Sequence, residues 1–381
     1  MSDKSAFLEP GALEGADDHA EVLEELEPAH SATLDADLSS AISDLEQLAT
    51  VTESLESYSN RFLEIVPADQ WTVKTSERYR SGAAAILVAG GFDQIGQIFD
   101  ISTESSDKAT IGSRMKDFIL RMWEAFRGFL AMIAEKVTLM VTNYGKTVGA
   151  VRKIIASIQA RLGKVQGLRP RKEYFDSVPG WSVYMSHKGD FLTPQRALEV
   201  AGDILDDDAV KWCNGYAKMA QAEFDIASNG GESNLVELAK RTSVVWDEPF
   251  IDFPGGTKIT FSGDNSAPGG VALNAKVTVS KSAAKPKLLK VLNPTELSQM
   301  VDGLRRLAAA MKQVETALAG DLRTIKNIQR SIRTDKVKVG PRIIAKFITN
   351  MVMLPRIMLP MSGSLAREAF MHANASFAQY R

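Results

Sequence analysis

The chain has 381 residues, a formal net charge of −2, 45% hydrophobic and 24% charged residues. That is an ordinary globular composition, long enough for a sizeable core and more than one subdomain. Its single cysteine, Cys213, excludes an intrachain disulfide and a cysteine-based metal cluster and fits a reducing compartment. The near-neutral total hides a division. Residues 1–69 hold 17 acidic and 2 basic side chains, and the rest of the chain holds 30 acidic and 43 basic.

Residues 1–37 read as a flexible acidic segment punctuated by Pro10, Gly11, Gly15 and Pro28, with EVLEELEP at 21–28. An acidic opening is not the basic-then-apolar pattern of a secretory signal, so none is expected. From Leu38 a helical period sets in: Leu38, Ile42, Leu45, Leu48, Val51, Leu55, Tyr58, Phe62 and Ile65 recur at steps of three or four, ended by Pro67. A second helix at 77–90 is its expected partner, because SGAAAILVAGG (81–91) allows close approach. Residues 92–107, FDQIGQIFDISTESSD, lose the period and read as a linker.

The segment MKDFILRMWEAFRGFLAMIAEKVTLMV (115–141) is apolar, but Lys116, Asp117, Arg121, Glu124, Arg127, Glu135 and Lys136 interrupt it. No uncharged run approaches the roughly 20 residues of a membrane span. Phe118, Met122, Phe126, Phe129, Ile133 and Val137 share one face, so an amphipathic helix is expected, continuing as a basic helix through Lys164. A Pro/Gly-rich break at 167–181 precedes one or two helices over 192–227, with Thr193 as cap and Pro194 in the first turn. At 243–282 the period changes to two: TKITFSG (257–263) and LNAKVTVSK (273–281) flank the turn-rich GDNSAPGG, and FIDF (250–253) and VVW (244–246) add short strands. Helix returns from Pro294 to about 333, with Gly320 a weak point. A further short helix opens at Pro341 and runs through Phe347 and Met351, where prolines and methionines predict a flexible apolar surface.

The expected fold is therefore mainly α and elongated, with a small antiparallel β insertion. Four stretches are distinguished: an acidic, mostly helical leader (1–104), a helical body (105–242), a β-meander (243–286) and a basic helical C-terminal region (287–381).

Catalytic patterns are sparse. The four histidines, His19, His30, His187 and His372, have no metal-ligand spacing, and no nucleophile elbow or phosphate loop is present. The carboxylates of DILDDDAV (203–210) could hold a divalent ion, but on a helix they read first as a solvated face. No cofactor, no metal and no enzymatic activity are expected. The basic residues point elsewhere. Arg305, Arg306, Lys312, Arg323, Lys326, Arg330, Arg333, Lys336, Lys338, Arg342 and Lys346 are spread along helices without base-reading partners. Such a pattern suits weak, sequence-independent, salt-sensitive contact with DNA phosphates.

The order of features is distinctive: an acidic helical leader, a Ser/Thr/Glu linker, then an aromatic and basic helix with a tryptophan. Through SLESYSNRFLEI (54–65), STESS (102–106) and MKDFILRMWEAFRGFLAMIAEKV (115–137) the chain resembles the internal head, or inner-body, proteins of large tailed bacteriophages. The resemblance covers about the first 170 residues. It implies a virion protein housed inside the capsid with packaged double-stranded DNA, and partners among capsid or scaffold proteins. It further implies a leader removed by a prohead protease that cuts after glutamate with a small residue two places earlier. Glu14, Glu56, Glu104, Glu199, Glu232 and Glu368 fit that rule. Position favours the Glu104–Ser105 bond in the linker, with Glu56–Ser57 and Glu14–Gly15 as alternatives. Cutting after Glu104 would leave residues 105–381 with 40 basic and 26 acidic side chains, a polycation released from its acidic counterweight. The alternative is an ejected, membrane-active or host-targeted effector using 115–141 and 341–361 for transient membrane contact. An enzyme gathering His187 with carboxylates is a third class.

Overall fold

The computed structural model describes residues 29–91, 108–176, 183–229, 250–262, 276–281, 288–332 and 341–380. Seven long helices carry the architecture: α1 (Ala29–Ile65), α2 (Val73–Ala89), α3 (Lys108–Val165), α4 (Pro194–Ile204), α5 (Val210–Ser228), α6 (Pro294–Ser331) and α7 (Pro341–Phe377). At 1.5 Å per residue the 58-residue α3 runs for ~87 Å, which makes the molecule elongated. The mainly α expectation holds.

Periodicity explains what is buried. On α1, Leu38, Ile42, Leu45, Leu48, Val51 and Leu55 are buried, while Ile65 at the end of the same stripe is 76% exposed. On α3, Phe118, Met122, Phe126, Ile133 and Val137 are buried as expected, and the stripe continues through Met140, Tyr144, Val151 and Ile158. Helix α2 folds back on α1 as the small residues suggested. A Cβ on Gly82 would lie 2.1 Å from the Tyr58 hydroxyl oxygen, so only glycine lets that ring reach the Tyr79 carbonyl, to which it donates at 3.2 Å. Caps mark the starts. Thr72 and Thr193 accept from Thr75 N and Arg196 N, and Asn293 with Glu296 forms a reciprocal capping box ahead of Pro294.

Helix α6 packs on α3, α4 and α5, while α7 lies against α1, α3, α4, α5 and α6. One continuous apolar core includes Leu45, Phe126, Cys213, Phe253, Leu304 and Phe370. The meander is an antiparallel sheet in the order β4 (Phe250–Phe253), β5 (Thr257–Ser262), β6 (Lys276–Lys281). The VVW and GDNSAPGG segments lie outside the described residues. Two small pairings were not foreseen. Strand β1 (Tyr174–Asp176) joins β7 (Leu288–Lys290), and β2 (Ser186–His187) turns into β3 (Asp190–Phe191) through Lys188 and Gly189 at φ 51° and 86°.

The largest correction concerns α7. It was expected to be short, with a flexible apolar surface at 341–361. It instead has 37 residues, carries Pro355 and Pro360 inside the helix, and buries Ile344, Phe347, Ile348, Met351, Val352, Leu354 and Met358. Proline inside a helix removes the N–H that would bond the carbonyl four residues earlier. Side chains bond to carbonyls in this stretch: Tyr144 donates to Pro355 O at 2.8 Å and Trp212 Nε1 to Asn350 O at 2.6 Å. Tertiary packing overrides the local signal.

Leu45→Ala is expected to lower the unfolding free energy by ~2–5 kcal/mol in urea melts of the full chain. Ile65→Ala, at the exposed end of α1, is expected to stay within ~0.5 kcal/mol.

Candidate functional site

The cations of α6 were expected to form a phosphate-binding stripe. Helical spacing puts Arg305, Lys312, Arg323, Lys326 and Arg330 on one strip, and all five are exposed. At the helical rise the strip extends ~38 Å. Its two halves differ in electrostatics. In the first half each cation has a carboxylate nearby: Arg305 pairs with Asp302 at 2.7 Å and Lys312 with Glu315 at 2.6 Å. In the second half the acid of α6, Asp321, is 5% exposed and turned into the core. Arg323, Lys326 and Arg330, at i, i+3 and i+7, have no ion pair among the described residues. The backbone of α3 approaches this stretch at Arg127, whose carbonyl accepts from Gln329 Nε2 at 3.5 Å. Arg330 also stands in the last turn of α6, where a cation suits the helix dipole.

The remaining expected contacts are not on this strip. Arg306 faces α4 and the π-helical turn Leu205–Ala209, with Nε 3.1 Å from Asp203 Oδ1 and NH1 2.9 Å from Asp206 Oδ2. It joins α6 to α4, and a Cβ on Gly303 one turn away would meet Gln195 O at 2.8 Å. The same clamp occupies carboxylates of DILDDDAV, and Asp207 pairs with Lys211 at 3.3 Å. Arg342 is exposed at the start of α7 and lines an open groove of about 630 Å³ with Glu53, Ser57, Tyr58 and Arg61 of α1. Lys346 is half-buried on α7. Arg333, Lys336 and Lys338 lie outside the described residues.

The glutamates that fit the cleavage rule separate similarly. Glu14, Glu104 and Glu232, with Gly15 and Ser105, lie outside the described residues. Glu56 is within α1, half-buried, and accepts from Trp123 Nε1 at 2.6 Å. Burial raises its pKa, and the indole hydrogen bond opposes the rise. Glu199 and Glu368 are within α4 and α7, where they accept from Gln195 Nε2 at 2.7 Å and Tyr184 N at 3.0 Å. A protease needs an extended strand, so helical bonds at Glu56, Glu199 and Glu368 are shielded.

Buried polar groups form two sets that sequence reasoning missed. The first is a staple. His372 Nε2–H donates to Lys290 O at 2.9 Å, which leaves Nδ1 to accept from the Tyr184 hydroxyl at 2.9 Å. The ring is thus neutral in one tautomer, and burial lowers its pKa. Glu368 beside it is pushed up to about 7, mainly by burial. The second set faces Asp321, whose carboxyl burial pushes up to about 7, countered by Lys218. Near it lie Cys213, fully buried with a raised pKa, and Tyr144. Both sets had a visible signal, since Asp321 interrupts the stripe Leu318–Ile325–Ile328 and His372 the stripe Ala369–Ser376. His187 sits on β2, its pKa lowered chiefly by burial, with Asp252 opposing.

A folded-state carboxyl pKa above the unfolded value means stability falls as pH rises from about 4 to about 7 and then levels off. Asp321→Asn is therefore expected to stabilise the chain by ~2–4 kcal/mol at pH 8. The gain should shrink steadily toward pH 4 in denaturant melts across that range.

Comparison with protein families matches residues 13–340 to phiKZ-like phage internal head proteins. Comparisons with curated proteins and with solved structures give no match. The matched span includes the acidic N-terminal region, α1 to α6 and the meander, well over half of the chain. The chain belongs to the family of phiKZ-like phage internal head proteins, which places it inside the phage head.

Proposed function

We propose that the chain is a non-enzymatic structural protein of the head interior, made with an acidic leader that the prohead protease trims. Its basic surface then contacts packaged double-stranded DNA without sequence preference. The observation that carries the DNA contact is the second half of the α6 strip, where Arg323, Lys326 and Arg330 face solvent. Point charges on a rigid helix, with no side chains placed to read bases, suit phosphates generally. The charge division supplies the reason for a leader: acid at one end offsets the rest of the chain until DNA arrives, and can steer the protein to capsid or scaffold surfaces during assembly in the host cytoplasm.

A second reading, an ejected membrane-active effector, draws on the helix Arg342–Tyr380. It is long and apolar enough to cross a membrane, with 67% of its most apolar window buried in the fold. Tight binding to liposomes at physiological salt would favour that reading over the first.

Two measurements test the leading reading. Replacing Arg323, Lys326 and Arg330 together by alanine is expected to make the slope of log affinity for duplex DNA against log salt shallower by about 2–3, since each phosphate contact contributes ~0.9. Arg305→Ala, which removes a cation already paired with Asp302, is expected to change the slope by less than one contact. A chain that ignores duplex DNA even at low salt, or an unchanged slope in the triple variant, counts against the contact. The N-terminus of the protein in purified particles tests the processing. A start at Ser105, or at Gly15 with a shifted boundary, is expected, and an intact Met1 rules trimming out.

A further inference from the structure

Residues 29–91 of the acidic leader are not a tail hung on the fold. Helices α1 and α2 first close on each other: Tyr58 stacks on Tyr79 at 5.6 Å, Phe62 meets Trp71 and Tyr79 edge-on, and Ser59 Oγ lies 2.7 Å from the Tyr79 hydroxyl. The hairpin then docks through α1 on a face made by α3 and α7. Leu38, Leu45 and Leu55 are fully buried, and Leu48 and Val51 nearly so. Four polar ties run from α1 and the residue after it to the chain beyond residue 107. They are Glu56 with Trp123 Nε1 at 2.6 Å, Asp37 with Lys136 at 2.7 Å, Ser39 Oγ with Arg356 NH1 at 2.8 Å, and Val66 O with Lys108 Nζ at 2.7 Å. Two of them set carboxylates of the leader on a tryptophan and a lysine of α3.

None of these contacts needs the covalent link between Gly91 and Lys108. We infer that the α3–α7 face is a binding site for the 29–91 helical hairpin that holds it in trans, so that a break anywhere between Gly91 and Lys108 leaves a two-piece complex. The biological use of this site rests on the processing proposed above; the docking does not. It divides the acidic counterweight into two parts with different fates. Residues 1–28, with 9 acidic and 1 basic side chain, precede the docked hairpin, and a cut after Glu14 frees residues 1–14 of them, with 3 acidic and 1 basic, at once. Residues 29–91, with 9 acidic and 4 basic, stay on the body after a cut at Glu104 until the hairpin dissociates or is digested. Scission and release are then separate events, and the body keeps the cover over α7 between them.

The test uses the full chain with a recognition sequence for a site-specific protease inserted between Ser105 and Ser106, cut after purification. At ~1 μM, about nine-tenths or more of the hairpin piece is expected to co-elute with the body at the size of the uncut chain, as a dissociation constant below ~0.01 μM requires. Helical circular dichroism and Trp123 fluorescence are expected to match those of the uncut protein, and the unfolding midpoint is expected to rise with protein concentration only after cutting. Two separately eluting pieces, or a midpoint that ignores concentration, would overturn the inference, whether or not the body stays folded. The particle N-terminus reports independently on trimming. An intact Met1 there would remove the use of the site and leave the co-elution result standing.

Discussion

Everything in this molecule is arranged around keeping α7 out of water. A 37-residue helix with two internal prolines and a run of Met, Leu, Ile and Phe has poor intrinsic helicity in its middle and too much apolar surface to stand alone. Its burial is completed by other helices. Tyr144 and Trp212 bond to its carbonyls, Leu45 and Leu48 belong to the helix that covers it, and α5 and α6 share its remaining sides. The protein is thus less a string of regions than a sheath assembled from both ends of the chain around its last helix.

Charge follows from that arrangement. Because the core takes the apolar faces, the ionic residues are left on outer strips, where their neighbours decide what each can do. Arg306, Arg305 and Lys312 are spent on carboxylates within the fold, and surface pairs of this type add little stability but do neutralise. The end of α6 keeps its cations because Asp321, one turn away, points inward at an energetic cost. An acid displaced into the core and a base left facing solvent are two results of the same helix phase.

Much of this was legible. The stripe from Leu38 to Leu55, the aromatic face of α3 and its end before Gly167, the Thr193 cap and the β-meander strands all come from periods of 3.6 or 2 and from turn chemistry, which are local. The family resemblance was also legible, because it rested on the order of those elements and on the tryptophan helix. What was not legible depends on partners far away in the chain. Helix α7 runs past its local signals because its apolar face, Leu354 and Met358 included, is buried against helices distant in the chain, which nothing local announces. The division of the cations into paired and unpaired is not visible in sequence, because the partners of Arg306 are on another helix and its π-helical extension. Acidity and a linker are visible in the leader's sequence, whereas the α3 and α7 surface that receives Leu45 is not. His372 and Asp321 sit as polar residues in apolar stripes, but only the fold says that one fastens Lys290 and Tyr184 and the other is buried near a lone thiol.

The innermost helix is also the final one, and its far end is fastened by His372, by Ser376 receiving Leu292 N and by Gln379 receiving Arg171 N. Under mechanical load this makes the two ends of the molecule unequal. Traction on the amino end peels α1 and α2 away as an outer layer and leaves most of the bundle standing. Traction on the carboxyl end must shear the central strut past every neighbour at once, so the chain yields gradually from its front and abruptly from its back.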